Sequence, residues 1–313
     1  YGATTTITVS DVTGGKEILS SAGLDTLQRA VKSFLKTGTG VSFHYGVQVG
    51  EGGLTMGNNT KIIGNVFSNG PITGGGVSNN SVITGNAQAA GSSLIKDIRV
   101  NQGASAGSFN NCIIDGQAKY FTSFTNCTAS STSVLAAPLP PQPFPISQAQ
   151  INQWKEDACP GGDASCTLNG FEMGNNSSLT LGPKKINGNI ALGNNSILTL
   201  TGTVWVTGTI SFGNQDTIQL ASSYGSLSGV LIADGVVAIG NTAILKGSGT
   251  SGSYLVLLST FGGLADAIEV GNDSLGAIFY APNGIIEIGN NISLREATAY
   301  GFTVGNGATI TYE

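Results

Sequence analysis

An apolar residue followed by Gly-Asn returns throughout the second half of the chain. The phrase is Met173-Gly174-Asn175, Leu192-Gly193-Asn194, Phe212-Gly213-Asn214, Ile239-Gly240-Asn241, Val270-Gly271-Asn272, Ile288-Gly289-Asn290 and Val304-Gly305-Asn306. Its glycines stand 19, 20, 27, 31, 18 and 16 residues apart. A loose period of that length, with short β-rich runs between the marks, is the pattern of stacked coils. A chain that stacks coils must turn a corner at the same place in each of them. Gly reaches positive φ without a Cβ clash, and Asn is the next most tolerant residue. The repeat therefore predicts corners turned on the Gly-Asn pair, with Asn side chains laddered along the stacking direction. Residues 196–200 and 204–207 alternate apolar and polar side chains, as strands do.

The same corners create glycan-acceptor motifs. Asn58-Asn59-Thr60, Asn79-Asn80-Ser81, Asn175-Asn176-Ser177 and Asn194-Asn195-Ser196 all fit Asn-x-Ser/Thr. A repeated corner that ends in Ser or Thr generates the motif without any glycan, and that is the reading adopted.

Composition agrees with coils and excludes several alternatives. There are 47 glycines in 313 residues and only 10% charged residues, against about 25% in an average globular domain. Gly has no strict three-residue period, so collagen is excluded. Hydrophobic residues make up 40%, which is too rich for a disordered chain. The net charge of −5 and the absence of a basic stripe argue against nucleic acid as a partner. No apolar run approaches the roughly 20 residues of a membrane-spanning helix. The chain begins at Tyr1 rather than Met, as expected of a processed product.

Four cysteines point to an oxidising compartment. Cys112 and Cys127 each follow an Asn and lie 15 residues apart, close to one short coil. Strands about 4.8 Å apart fall within the Cα separation of a disulfide. Cys159 and Cys166 enclose a small Pro- and Gly-containing loop. Of three possible pairings, the expected one is Cys112–Cys127 with Cys159–Cys166. A zinc site needs tighter cysteine pairs, and His44 is the single histidine. No metal or cofactor is expected.

In chain order, residues 1–43 form an N-terminal strand and cap segment. Thr4, Thr5, Thr6, Ile7, Thr8 and Val9 make a clear strand. Residues 24–35 fit either a helix face or a strand. A first coil segment covers 44–135. It contains Met56-Gly57-Asn58 and the recurrent pair Gly64-Asn65 and Gly85-Asn86. Residues 136–166 hold a proline-rich connector, a short helix over about 148–158 behind the capping residue Ser147, and the cysteine loop. Trp154 on that helix reads as a packing residue. A second coil segment covers 167–313. The fold class is all-β: a right-handed parallel β-solenoid with a small N-terminal β-rich cap and one short helix.

Several stretches resemble bacterial PilX-like, pilus-associated cell-surface β-solenoid proteins, a candidate-phylum type. They are residues 45–54 and 64–70, the stretch from Pro145-Ile146-Ser147 to Trp154-Lys155, and residues 277–284. The likeness covers about 40–313. Residues 1–43 resemble the linker after a pilin-type hydrophobic segment, which this sequence does not contain. The resemblance implies an exported, cell-surface or filament-associated protein and supplies no catalytic residues.

Parallel β-helices also serve polysaccharide lyases and hydrolases, which need clustered carboxylates. Here the acids are scattered. Glu269 and Glu287 precede consecutive corners and stack as neighbours, a pair read as surface acids. Thr199, Thr201, Thr203, Thr207 and Thr209 resemble the threonine rows of ice-binding solenoids, but other coils do not repeat them. No catalytic constellation emerges. The expected function is that of a secreted structural protein, a self-assembling subunit of an extracellular filament or a pilus-associated surface component. Assembly is expected through the solenoid ends or by lending the strand Thr4 to Val9 to a neighbour. The alternative is a monomeric adhesin that binds a glycan or cell surface, and a polysaccharide-active enzyme ranks below both.

Overall fold

The computed structural model describes residues 4–12, 15–24, 27–36, 44–263 and 265–312. They divide into two compact units, 1–43 and 44–313. The first is an antiparallel sheet of β1 (Thr4–Val12), β2 (Gly15–Leu24) and β3 (Leu27–Lys36), in that order. The ambiguous 24–35 stretch is therefore strand, paired with β2 from Leu24↔Leu27 to Gly15↔Lys36. Ile7 and Val31 both stand opposite Ser20, so they share one side of the sheet, and both are exposed.

The second unit is all-β apart from helix α1 (Gln148–Ala158) and short 3-10 turns. Each turn of chain lays down up to three short strands, for example Gly229–Ala233, Val237–Ile239 and Ile244–Lys246. Strands inside the stack pair in parallel with the equivalent strands of the coils above and below, as Gly229–Ala233 does with Val204–Val206 and Leu255–Ser259. The inward side chains form continuous apolar columns. Val204, Leu231, Leu257 and Phe279 are successive members of one, and none is more than 1% exposed. Each such side chain contributes about 1.5–3 kcal/mol by leaving water.

The corner after the second strand is a hydrogen-bonded column. The Asn194 N–H donates to Asn175 Oδ1 at 2.9 Å, and the same bond recurs at Asn214, Asn241, Asn272, Asn290 and Asn306. The residue after each Asn carries the positive φ: Asn176 (57°), Asn195 (60°), Gln215 (62°), Thr242 (56°), Asp273 (59°) and Asn291 (57°). This corrects the expectation that the glycine itself takes that conformation. The glycine is required for a different reason. A Cβ on Gly240 would lie 2.5 Å from the Gly213 carbonyl, and one on Gly213 2.7 Å from the Asn194 nitrogen. The corners approach too closely for any side chain.

At several corners the residue after the positive-φ position is an inward Ser or Thr whose hydroxyl donates to a glycine carbonyl of the neighbouring coil. Ser196 Oγ donates to Gly174 O, Ser274 Oγ to Gly240 O, Thr60 Oγ1 to Gly305 O and Ser81 Oγ to Gly57 O, at 2.7–3.2 Å. A partly buried carbonyl left without a donor would cost stability. The Ser or Thr of three acceptor-like motifs, at 60, 81 and 196, thus has a structural role.

The order of the coils in the stack is not their order in the chain. The stack does not run from the first coil segment into the second. The last strands of the chain lie under the first coil of residues 44–135: Ala297–Val304 pairs with Val47–Met56, and Thr309–Thr311 with Lys61–Ile63. The asparagine ladder crosses this seam without a break, because the Asn58 N–H donates to Asn306 Oδ1 at 2.8 Å. The stack therefore begins at Thr167 and ends at Val134.

The segment between those ends must return along the stack. Gly91 N–H donates to Leu139 O, Asn69 Nδ2 to Gln142 O, Gln48 Nε2 to Pro143 O and Tyr280 Oη to Ile146 O. Helix α1 follows, capped by Ser147 Oγ, which accepts from Gln150 N at 3.2 Å. It buries Ile151, Trp154 and Ala158. Lys155 Nζ meets Asp234 Oδ1 at 2.5 Å and lies over the Trp205 ring. Trp205 Nε1 donates to the same carboxylate at 2.9 Å.

Two substitutions test the corner. Gly240→Ala is expected to lower stability by roughly 1–3 kcal/mol through the backbone clash. Thr242→Asn is expected to raise it by about 1 kcal/mol, because a β-branched residue at positive φ is strained. Thermal or denaturant unfolding of the two variants against the parent chain measures both.

Candidate assembly surfaces

The coil stack has two unpaired ends. Among the described residues no strand pairs with the outer edge of Thr128–Val134 at one end, nor with those of Thr167–Met173 and Ser178–Leu181 at the other. Natural sheets guard such edges with charges, prolines or bulges. Thr128–Val134 reads TASSTSV and Ser178–Leu181 reads SLTL, without charge or proline. Thr167–Met173 carries a single charge, Glu172.

The apolar columns run out into solvent at both ends. Leu168 stands opposite fully buried Ile186 yet is 40% exposed. Val134 stands opposite Tyr120, which packs on the core, and is 65% exposed. Phe171, Met173 and Leu179 at the first end, and Phe124 and Ala129 at the second, are only partly covered. Phe124 packs edge-on to Phe109 and stacks with Tyr120, both at 5.8 Å between centroids.

The strand proposed for lending is engaged in its own chain. Thr4, Thr5, Thr6, Ile7, Thr8 and Val9 pair antiparallel with residues 18–23 of β2. Lending it to a neighbour requires opening that register.

The cysteines divide. Cys159 and Cys166 form a disulfide with a Cα separation of 5.4 Å, the mark of an oxidising environment. The bond expected between Cys112 and Cys127 is absent; both are free thiols. They are neighbours, since the Cys112 N–H donates to Cys127 Sγ at 3.1 Å. They sit just before the register that pairs Ile113 with Thr128, and parallel strands send matched side chains out in the same direction about 4.8 Å apart. A disulfide needs Cβ atoms that converge to about 3.8 Å. Burial, with the nearby Cys127 sulfur adding to it, pushes the Cys112 thiol up to about 12.

Glu269 and Glu287 are paired in register on an outward column, and both are exposed. Asp216 is inside the corner, where it accepts from Ser196 N at 2.8 Å and Gly213 N at 2.7 Å. Burial raises its pKa, and the two backbone donors oppose that shift. Glu296 begins the strand at the seam; one of its oxygens is buried without a hydrogen-bond partner, and burial pushes the group up to about 7. Among the described residues no three His, Cys, Asp or Glu side chains gather where they could hold a metal. The five threonines do not form a row: Thr199 is on a strand, while Thr201, Thr203, Thr207 and Thr209 lie in two corners. Among the described residues no helix is long and apolar enough to cross a membrane.

A shallow groove of about 390 Å³ opens on the outward side of the 44–135 coils. Lys61, Asn80, Thr84, Arg99, Asn101 and Asp115 contribute to its lining. Arg99 forks onto Asp115 with contacts of 2.9–3.1 Å. The sequence reading did not find this groove, because its residues meet only through stacking.

No family model matches the chain, and no curated protein matches it in sequence. The likeness to PilX-like proteins rests on the quoted segments alone. One solved structure that aligns is an ice-binding protein from an Antarctic bacterium of the Flavobacteriaceae. It is 12% identical over 85% of this chain and 81% of that one, with a TM-score of 0.28. At that score the likeness carries no argument about fold or role.

The thiols offer a direct check. Alkylation of the folded protein at pH 8 should leave Cys112 unmodified, because its thiolate is scarce that far below about 12. Alkylation after unfolding should modify both Cys112 and Cys127, and Cys159 and Cys166 should react only after reduction. Peptide mass spectrometry reads each site.

Proposed function

We propose that this protein is a secreted structural subunit that self-assembles into an extracellular filament or pilus-associated surface fibre, its coils wound right-handed. The observation that carries this reading is that, among the described residues, both ends of the coil stack are unpaired and largely unguarded, with the apolar columns reaching solvent at each. A solenoid that works alone needs polar capping at its termini. One that joins others needs what is present here. The low charge fits a structural role better than a catalytic one. The disulfide fits export.

A second reading is a monomeric adhesin. The groove beside Lys61, Arg99 and Asp115 favours it, since it offers donors and acceptors of the kind that hold sugar hydroxyls. Electron microscopy with sedimentation over a concentration series separates the two. Filaments with a regular axial repeat are expected. Single particles at every concentration would overturn the filament reading and make glycan binding the next assay.

A further inference from the structure

The two ends are complementary to each other. One face of the stack can be followed from Thr167–Met173 through Lys184–Leu192, Val204–Val206, Gly229–Ala233, Leu255–Ser259, Ile278–Ile288 and Glu296–Val304. It continues across the seam into Val47–Met56, Val66–Ser68, Ala87–Ala89, Ala104–Thr125 and Thr128–Val134. Every pairing in that series is parallel. The first and last strands therefore run in the same sense, with their free edges facing opposite ways along the stack. A second copy displaced along the stacking direction, without being turned over, presents the right edge in the right sense. A copy turned end over end presents antiparallel strands.

The side chains match as well. Leu168 is the exposed terminus of an inward column at one end, and Val134 of an inward column at the other. Neither strand sets a like charge against its opposite number, because Thr128–Val134 carries none.

We infer that molecules join head to tail, the free edge of Thr128–Val134 in one copy pairing in parallel with the free edge of Thr167–Met173 in the next. Val134 then stands opposite Leu168 of the neighbour, and Ser133 opposite its Thr167. The contact is heterologous, so it does not close on itself and propagates as a polar fibre. It rests on the filament reading above and adds the partner, the edges, the direction and the register.

Two variants test it, each placing a positive charge on one edge, so that the two blocked ends repel each other: Val134→Lys and Leu168→Lys. Both residues are exposed, so each variant is expected to keep the circular dichroism and melting curve of the parent chain. Each variant alone should be monomeric by analytical ultracentrifugation. Mixed one to one, they should form two-chain particles and nothing larger, because each retains one intact end. If either variant alone forms dimers, like ends pair and the head-to-tail geometry is overturned. If both variants still form filaments beside filaments of the parent chain, these edges are not the interface, while the filament reading survives. If the parent chain forms no filaments at all, both the reading and this inference fail.

Discussion

The stack depends on how close two corners can come. Neighbouring coils are held at strand spacing by their ladders, and at the Gly-Asn corner that spacing leaves no room for a Cβ. Three other features follow from this approach. The Asn side chain can reach the next backbone N–H only because the glycine lets the corners meet. The turn then has to be completed by the residue after Asn at positive φ. The partly buried glycine carbonyl takes a donor from an inward Ser or Thr at several corners. Glycine, asparagine, positive-φ residue and hydroxyl form one unit repeated up the stack.

That unit explains which parts of the structure could be read from the sequence. The Gly-Asn phrase located the corners, and the Pro-rich run with Ser147 located the connector and helix. The repeat could not reveal coil order. Each coil sees only its neighbours, and a corner of the Gly57-Asn58 type fits above Asn306 as well as it would fit above any other Asn of the ladder. The choice is made by contacts outside the repeat: Tyr280 to Ile146, Gln48 to Pro143, Lys155 to Asp234. These join residues far apart in sequence through side chains that carry no periodic signal. The polar groove was hidden for the same reason.

The cysteines show a different limit. Spacing placed Cys112 beside Cys127 correctly, but a bond depends on the direction in which side chains leave the backbone as well as on the distance between their α-carbons. In-register parallel strands suit ladders of hydrogen bonds, such as Asn195 on Asn176, better than convergent covalent links. The loop closed by Cys159 and Cys166 lies outside the ladders and has no such restriction.

The returning connector has a mechanical consequence. The two ends of the stack, at Val134 and Thr167, are far apart in space along the coils but joined by a single short stretch of chain. The seam in the middle joins residues 248 positions apart, Asn58 and Asn306. Tension applied across the two ends would draw on a covalent strap running beside the coils. The ladders would be relieved of part of the load until the strap had peeled from its seat on Tyr280, Asp234 and Trp205. A subunit wired this way has a built-in tether in parallel with its zipper, so a fibre made of such subunits would yield by extension before it broke.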